Sequence, residues 1–184
     1  MKVTEKTTRI SLLTVMMLFL FNAPLGALMM GISTEELTRS SELVVSGQVE
    51  SVESSWTADG KSIVTRAVVL INETVKGQAQ GDRVVVEYEG GEVGGTGLKV
   101  SDMSPLLKGS DVILFLKSGM SKAPLSKQGQ QQKTYHLVGK SQGKYTVGED
   151  GIARKDGFSI MSGEQKVDSN ISRQELVNKI RGVK

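Results

Sequence analysis

Cysteine is absent from this chain, and histidine and tryptophan occur once each, as His136 and Trp56; aromatic residues make up 4% of the sequence. Without cysteine there is no disulfide, no thiol nucleophile and no thiolate metal site, so packing alone must hold the fold. A histidine zinc site needs two or three imidazoles, which a single histidine cannot supply. A Ser–His–Asp triad would have to enlist His136, which falls in an extended segment and reads as a surface or partly buried strand residue. There is no Asp-rich calcium loop. No metal, no cofactor and no catalytic residue is expected from the sequence.

Long apolar runs are equally scarce. The longest follows Lys2, Lys6 and Arg9: it spans Ile10 to Phe21 and ends at Asn22-Ala-Pro-Leu-Gly-Ala27. A bilayer span needs roughly 20 apolar residues, and this run falls short. A basic start, an apolar centre and a small-residue end describe a secretory signal peptide. Residues 1–27 are therefore read as a signal, cleaved after Ala27 or, as a second choice, after Ala23. The rival reading is a retained anchor extended by Leu28–Ile32. The expected location is secreted or periplasmic, with no membrane span after cleavage.

Excess charge is missing as well. The 23 Lys+Arg and 20 Asp+Glu of the full chain fall to 20 and 19 once Lys2, Lys6, Arg9 and Glu5 leave with the signal. The remaining charges are interspersed, which excludes nucleic acid and anionic membrane as partners.

Residues 28–184 fit one domain, long enough to bury a core without staples. The capping box Ser33-Thr-Glu-Glu36 predicts a helix over Thr34–Ser40. Leu43–Trp56 reads as a long strand whose inward parity changes near Gly47–Ser51, the mark of a bulge. Asp59-Gly60 predicts a hairpin turn and Ser62–Val75 the return strand. Arg83–Tyr88 and Leu98–Val100 follow as strands, the second after the Gly90–Gly97 cluster. Asp111–Lys117, apolar throughout its centre, reads as a strand buried on both sides. The polar segment 118–133 is read as a mobile loop. Strands at Thr134–Val138 and Gly143–Val147 precede a stretch without clear period, 148–171. Ser172-Arg-Gln-Glu175 opens an amphipathic C-terminal helix. The fold class expected is mainly β: a small closed OB-like antiparallel barrel with a short N-terminal helix and a C-terminal helix. A β-sandwich is the alternative.

Few residues offer chemistry. The Gly90–Gly97 cluster lacks the helix that a phosphate or dinucleotide loop needs behind it, and reads as a strand connection. Glu87 and Glu89 share a strand face with Glu92 close by; alternating acids usually mark a solvated face. The triplets at Asn72 and Asn170 carry no weight in a bacterial setting. Trp56 stands where its strand reaches the hairpin, a place for either a binding surface or end packing.

Ser40–Val52, Trp56 with Asp59-Gly60, Glu73–Gly77 with Gly81-Asp82, Gly90–Gly95 and Gly109 with Val112–Leu116 resemble a family of secreted bacterial proteins of unknown function. More distantly, the same rhythm is similar to netrin-like domains, which include the tissue inhibitors of metalloproteinases and are OB-fold barrels. The resemblance implies that fold. The inhibitors' N-terminal cysteine has no counterpart here, so their mechanism transfers to no residue. The function expected is a secreted, non-enzymatic binding module contacting a protein or glycan partner through Trp56, Asp59, Lys61, Tyr88 and Glu92. Inhibition of a secreted protease is the first alternative, and an uncharacterised hydrolase, such as one built on a Ser/Lys pair, the second.

Overall fold

The computed structural model describes residues 28–124, 133–156, 159–160 and 167–183. The expected signal peptide and residues 125–132 of the expected mobile loop lie outside the described residues. In chain order the elements are β1 (Leu28–Met29), α1 (Thr34–Ser40), β2 (Leu43–Trp56), β3 (Ile63–Lys76), β4 (Arg83–Glu89), β5 (Gly91–Val93) and β6 (Thr96–Leu98). Then come β7 (Asp111–Gly119), β8 (Thr134–Leu137), a 3-10 turn (Lys140–Gly143), β9 (Lys144–Val147), β10 (Ile152–Arg154), β11 (Ser159–Ile160), β12 (Asn170–Ser172) and α2 (Arg173–Gly182). The chain is mainly β, with one large mixed sheet in the order β12-β10-β9-β7-β2-β3-β4-β8.

Strands β2 and β3 form a long antiparallel hairpin, and β2 carries the expected irregularity. Its register with β3 shifts after Val44, after Ser46 and between Val49 and Ser51, where Glu50 is the extra residue. An extra residue reverses side-chain parity, so Val45, Val49 and Val52 all reach the same apolar cluster. Gly47 sits inside this bent stretch because the backbones close in: a Cβ there would stand 2.1 Å from the Leu70 carbonyl oxygen.

Strand β7 explains its own apolar sequence. Val112, Leu114 and Leu116 join the cluster with Ala67, Val69, Val84, Val86 and Tyr88. Ile113 and Phe115 face the other way, into a second cluster with Leu37, Val44, Tyr145, Leu176, Val177 and Ile180. The strand is therefore a wall between two cores, and all five central residues are buried. The two helices cover the second core. Each opens as its capping box dictates: Ser33 Oγ accepts from the Glu36 amide at 3.2 Å and Ser172 Oγ from the Glu175 amide at 3.1 Å.

Strand β8 pairs antiparallel with β7 through Leu116–Gly119 and parallel with β4 at Val85–Val86. The ladder β2-β3-β4-β8-β7 thus returns to β2. The β4–β8 pair is parallel, whereas the other pairings of this sheet are antiparallel, in keeping with the expectation of mostly antiparallel strands.

Other differences are local. The glycine cluster is a hairpin rather than a connection, since β5 and β6 pair from Gly91↔Leu98 to Val93↔Thr96, and the strand expected at Leu98–Val100 ends at Leu98. Strand β7 runs on to Gly119, so the expected loop begins later. The stretch 148–171 contributes β10 and the start of β12, three-residue strands too short to show a period in sequence. Among the described residues, no helix is long and apolar enough to cross a membrane.

Candidate functional site

The β2–β3 turn, the C-terminal end of β4, the β5–β6 hairpin and the segment after β7 gather at one end of the molecule, where three cavities share lining residues. A cavity of about 430 Å3 is lined by Thr57, Ala58, Asp59, Ser62, Glu89, Ser121 and Lys122. A second, of about 210 Å3, brings Glu87, Lys122, His136 and Lys140 to the ring of Tyr88. A third, of about 420 Å3, lies on the other side of Tyr88, under the β5–β6 hairpin. Large apolar side chains are exposed around this end: Trp56 (41%), Leu98 (37%), Leu107 (63%) and Met120 (90%).

The turn is rigid at its base. Thr57 Oγ1 donates to Asp59 Oδ1 at 2.5 Å and accepts from the Ser62 amide, while the Lys61 amide also donates to Asp59. These bonds, Thr57's first, hold the Asp59 carboxyl below its usual range. Lys61 itself is exposed. Trp56 therefore stands at the end of a strand whose continuation is fixed by the hydrogen bonds of the buried Thr57.

Glu87 corrects the expectation of a solvated acidic face. It is 1% exposed, accepting from Ser121 Oγ at 2.5 Å and the Lys122 amide at 2.6 Å and pairing with Arg66 Nε at 3.4 Å. Glu89, two residues on, is exposed and pairs with Lys122 Nζ at 2.6 Å. That bond draws the Glu89 carboxyl down and lifts the Lys122 ammonium. Two alternating acids thus pin the Ser121–Lys122 backbone and side chains to β4. His136 adds to the clamp: Nδ1 lies 3.0 Å from the Glu87 carbonyl and Nε2 3.3 Å from that of Met120. Its ring packs where a Gly119 side chain would stand.

Of the five residues singled out from sequence, Trp56, Asp59 and Lys61 lie together on the turn. Glu92 is exposed on β5. Tyr88 is 6% exposed and a member of the core, and its hydroxyl accepts from the Leu106 amide at 3.2 Å. Burial pushes that hydroxyl's pKa up, so Tyr88 forms a wall between two cavities instead of an outer surface. Gly91 lets the hairpin seat itself, because a Cβ there would meet the Ser54 and Thr65 hydroxyls at 2.3 Å.

Sequence reasoning passed over one cluster. Ser104 Oγ accepts from Lys144 Nζ at 2.7 Å, a Ser/Lys spacing, and Gly139-Lys-Ser-Gln-Gly143 has the Gly-x-Ser-x-Gly spacing of a nucleophile elbow. Neither works as one. Lys144 also donates to the Pro105 carbonyl and pairs with Asp156 at 3.1 Å, which uses its donors. Ser141 is fully buried, accepting from the Ser104 amide and donating to the Asp102 carbonyl. Ser104 and Ser141 line none of the three cavities. The cluster latches segment 102–107 to β9. Among the described residues no three His, Asp or Glu side chains converge as a metal site.

No protein-family model matches this chain, and no curated protein matches it significantly.

Proposed function

We propose that this protein is a secreted or periplasmic binding module without catalytic activity, an OB-like barrel that holds a protein or glycan partner at its β2–β3 hairpin end. The return of the ladder β2-β3-β4-β8-β7 to β2, with a long bulged first strand, supports the OB-like reading. In such barrels the hairpin between the first two strands and the loop between the last two commonly flank the ligand. Here those positions are Trp56–Ser62 and the segment that follows β7. The resemblance to secreted and netrin-like proteins and the leader at residues 1–27 support the location.

One observation carries the reading: the sole tryptophan is 41% exposed at the end of β2, next in the chain to Thr57 and Ala58, which line a cleft of about 430 Å3. An aromatic left half in water at a rigid site is a contact anchor of the kind that dominates interfaces and sugar stacking. The cleft beside it offers Asp59, Ser62, Glu89, Ser121 and Lys122, a mixture suited to hydroxyl and amide groups.

Because Trp56 is the only tryptophan, its fluorescence reports on the site without a label. Titration with a panel of oligosaccharides and tryptophan-free peptides is expected to give a saturable emission change for one class. Emission that stays constant across the panel, together with quencher access to Trp56 that no panel member reduces, counts against the hairpin end as the contact surface.

A further inference from the structure

The third cavity is chemically unlike the cleft beside Trp56. Its walls are mostly apolar: Val52, Leu98, Val100, Met103, Leu106 and the Tyr88 ring line an open cleft of about 420 Å3, inside the roughly 300–1,000 Å3 of small-molecule pockets. The hydroxyls that border it are already used. Ser54 and Thr65 bond each other at 2.9 Å, and Thr65 donates to the Gly90 carbonyl at 2.6 Å. Two charged side chains reach it, Glu89 and Lys99. Glu89 is neutralised by Lys122, whereas Lys99, among the described residues, has neither an ion pair nor a hydrogen bond.

An apolar chamber with one unmatched cation at its border selects a ligand by complementarity: an apolar body to displace water and one anionic head for the ammonium. We propose that this cavity binds a small amphipathic anion, an alkyl chain ending in a carboxylate, with its chain between the β5–β6 hairpin and Leu106 and its head at Lys99. The exposed Leu98 and Leu107 flank the entry. A sugar is a poorer occupant, because the walls are mostly apolar and both wall hydroxyls have already committed their protons. This site shares Glu89 with the cleft of the proposed partner surface but does not depend on Trp56.

The test is calorimetric titration of the purified protein with decanoate below its micelle concentration, beside decanol, decylamine and acetate, with the Met103 methyl resonance recorded in parallel. Decanoate is expected to saturate one site and shift the Met103 signal, with decylamine and acetate weaker by about tenfold or more. Lys99→Glu is expected to weaken decanoate about tenfold while Lys99→Arg preserves it; Lys99 is exposed, so both variants should fold, as circular dichroism checks. Absence of saturation, equal binding of decanoate and decylamine, or indifference to Lys99→Glu overturns the proposal. Repeating the titration on Trp56→Ala separates its failure from that of the partner surface.

Discussion

Lys155 places its ammonium 4.8 Å from the centre of the Tyr145 ring, with Nζ buried and without a hydrogen-bond partner. Burial lowers its pKa to about 8, against the opposing pull of Asp168. An unfolded lysine titrates near 10.4, so between about pH 8 and 10.4 the unfolded chain binds more protons than the folded one. Stability from this group therefore rises with pH across that window and is lowest below it. Urea unfolding at pH 8 and pH 10 is expected to show the rise in the native protein and to lose it in Lys155→Met, which should be the more stable of the two at pH 7. The Tyr145 hydroxyl, itself raised by burial, opposes this only above the ordinary tyrosine range. A slope equal in both proteins contradicts the assignment. Tyr88 makes a second case at this scale. Tyr88→Phe keeps the ring but strips the acceptor from the buried Leu106 amide, which should cost about 1–3 kcal/mol by denaturant titration.

At the scale of elements, the bulged β2 strand sets the shape of the molecule, and Gly47 is its tightest point. Gly47→Ala would press a methyl group onto the Leu70 carbonyl oxygen, and a loss of about 3 kcal/mol or more is expected; a neutral result would mean that β2 and β3 are farther apart there. This strand was legible from sequence to its end residues, and so was the region of the bulge, because period-2 patterning runs long enough to reveal a change of phase. The two capping boxes were legible because their bonds are made within four residues. Asp111–Lys117 announced two-sided burial by lacking polar alternation. The burial of Glu87 was not legible: its partners Ser121 and Lys122 lie 34 and 35 residues away, and parity cannot say whether a strand face meets water or another segment. The burial of Tyr88 was not legible for the same reason, since its hydroxyl meets the Leu106 amide 18 residues away. The Ser104–Lys144 contact spans 40 residues and has no local signal.

For the whole molecule, two cores share β7, and the helices that seal the second one sit away from the hairpin end. The hairpin end can therefore change without disturbing the helix-covered core. Trp56 belongs to neither cluster, and its replacement by Ala is expected to cost only about 1 kcal/mol of stability. The most direct measurement is a side-by-side capture from the organism's own secreted fraction, native protein against Trp56→Ala, both first shown by circular dichroism to be folded under the capture conditions. One protein or glycan species is expected to be retained by the native chain and lost from the folded variant. Equal retention by both, or loss of folding in the variant, would contradict a partner surface built around Trp56.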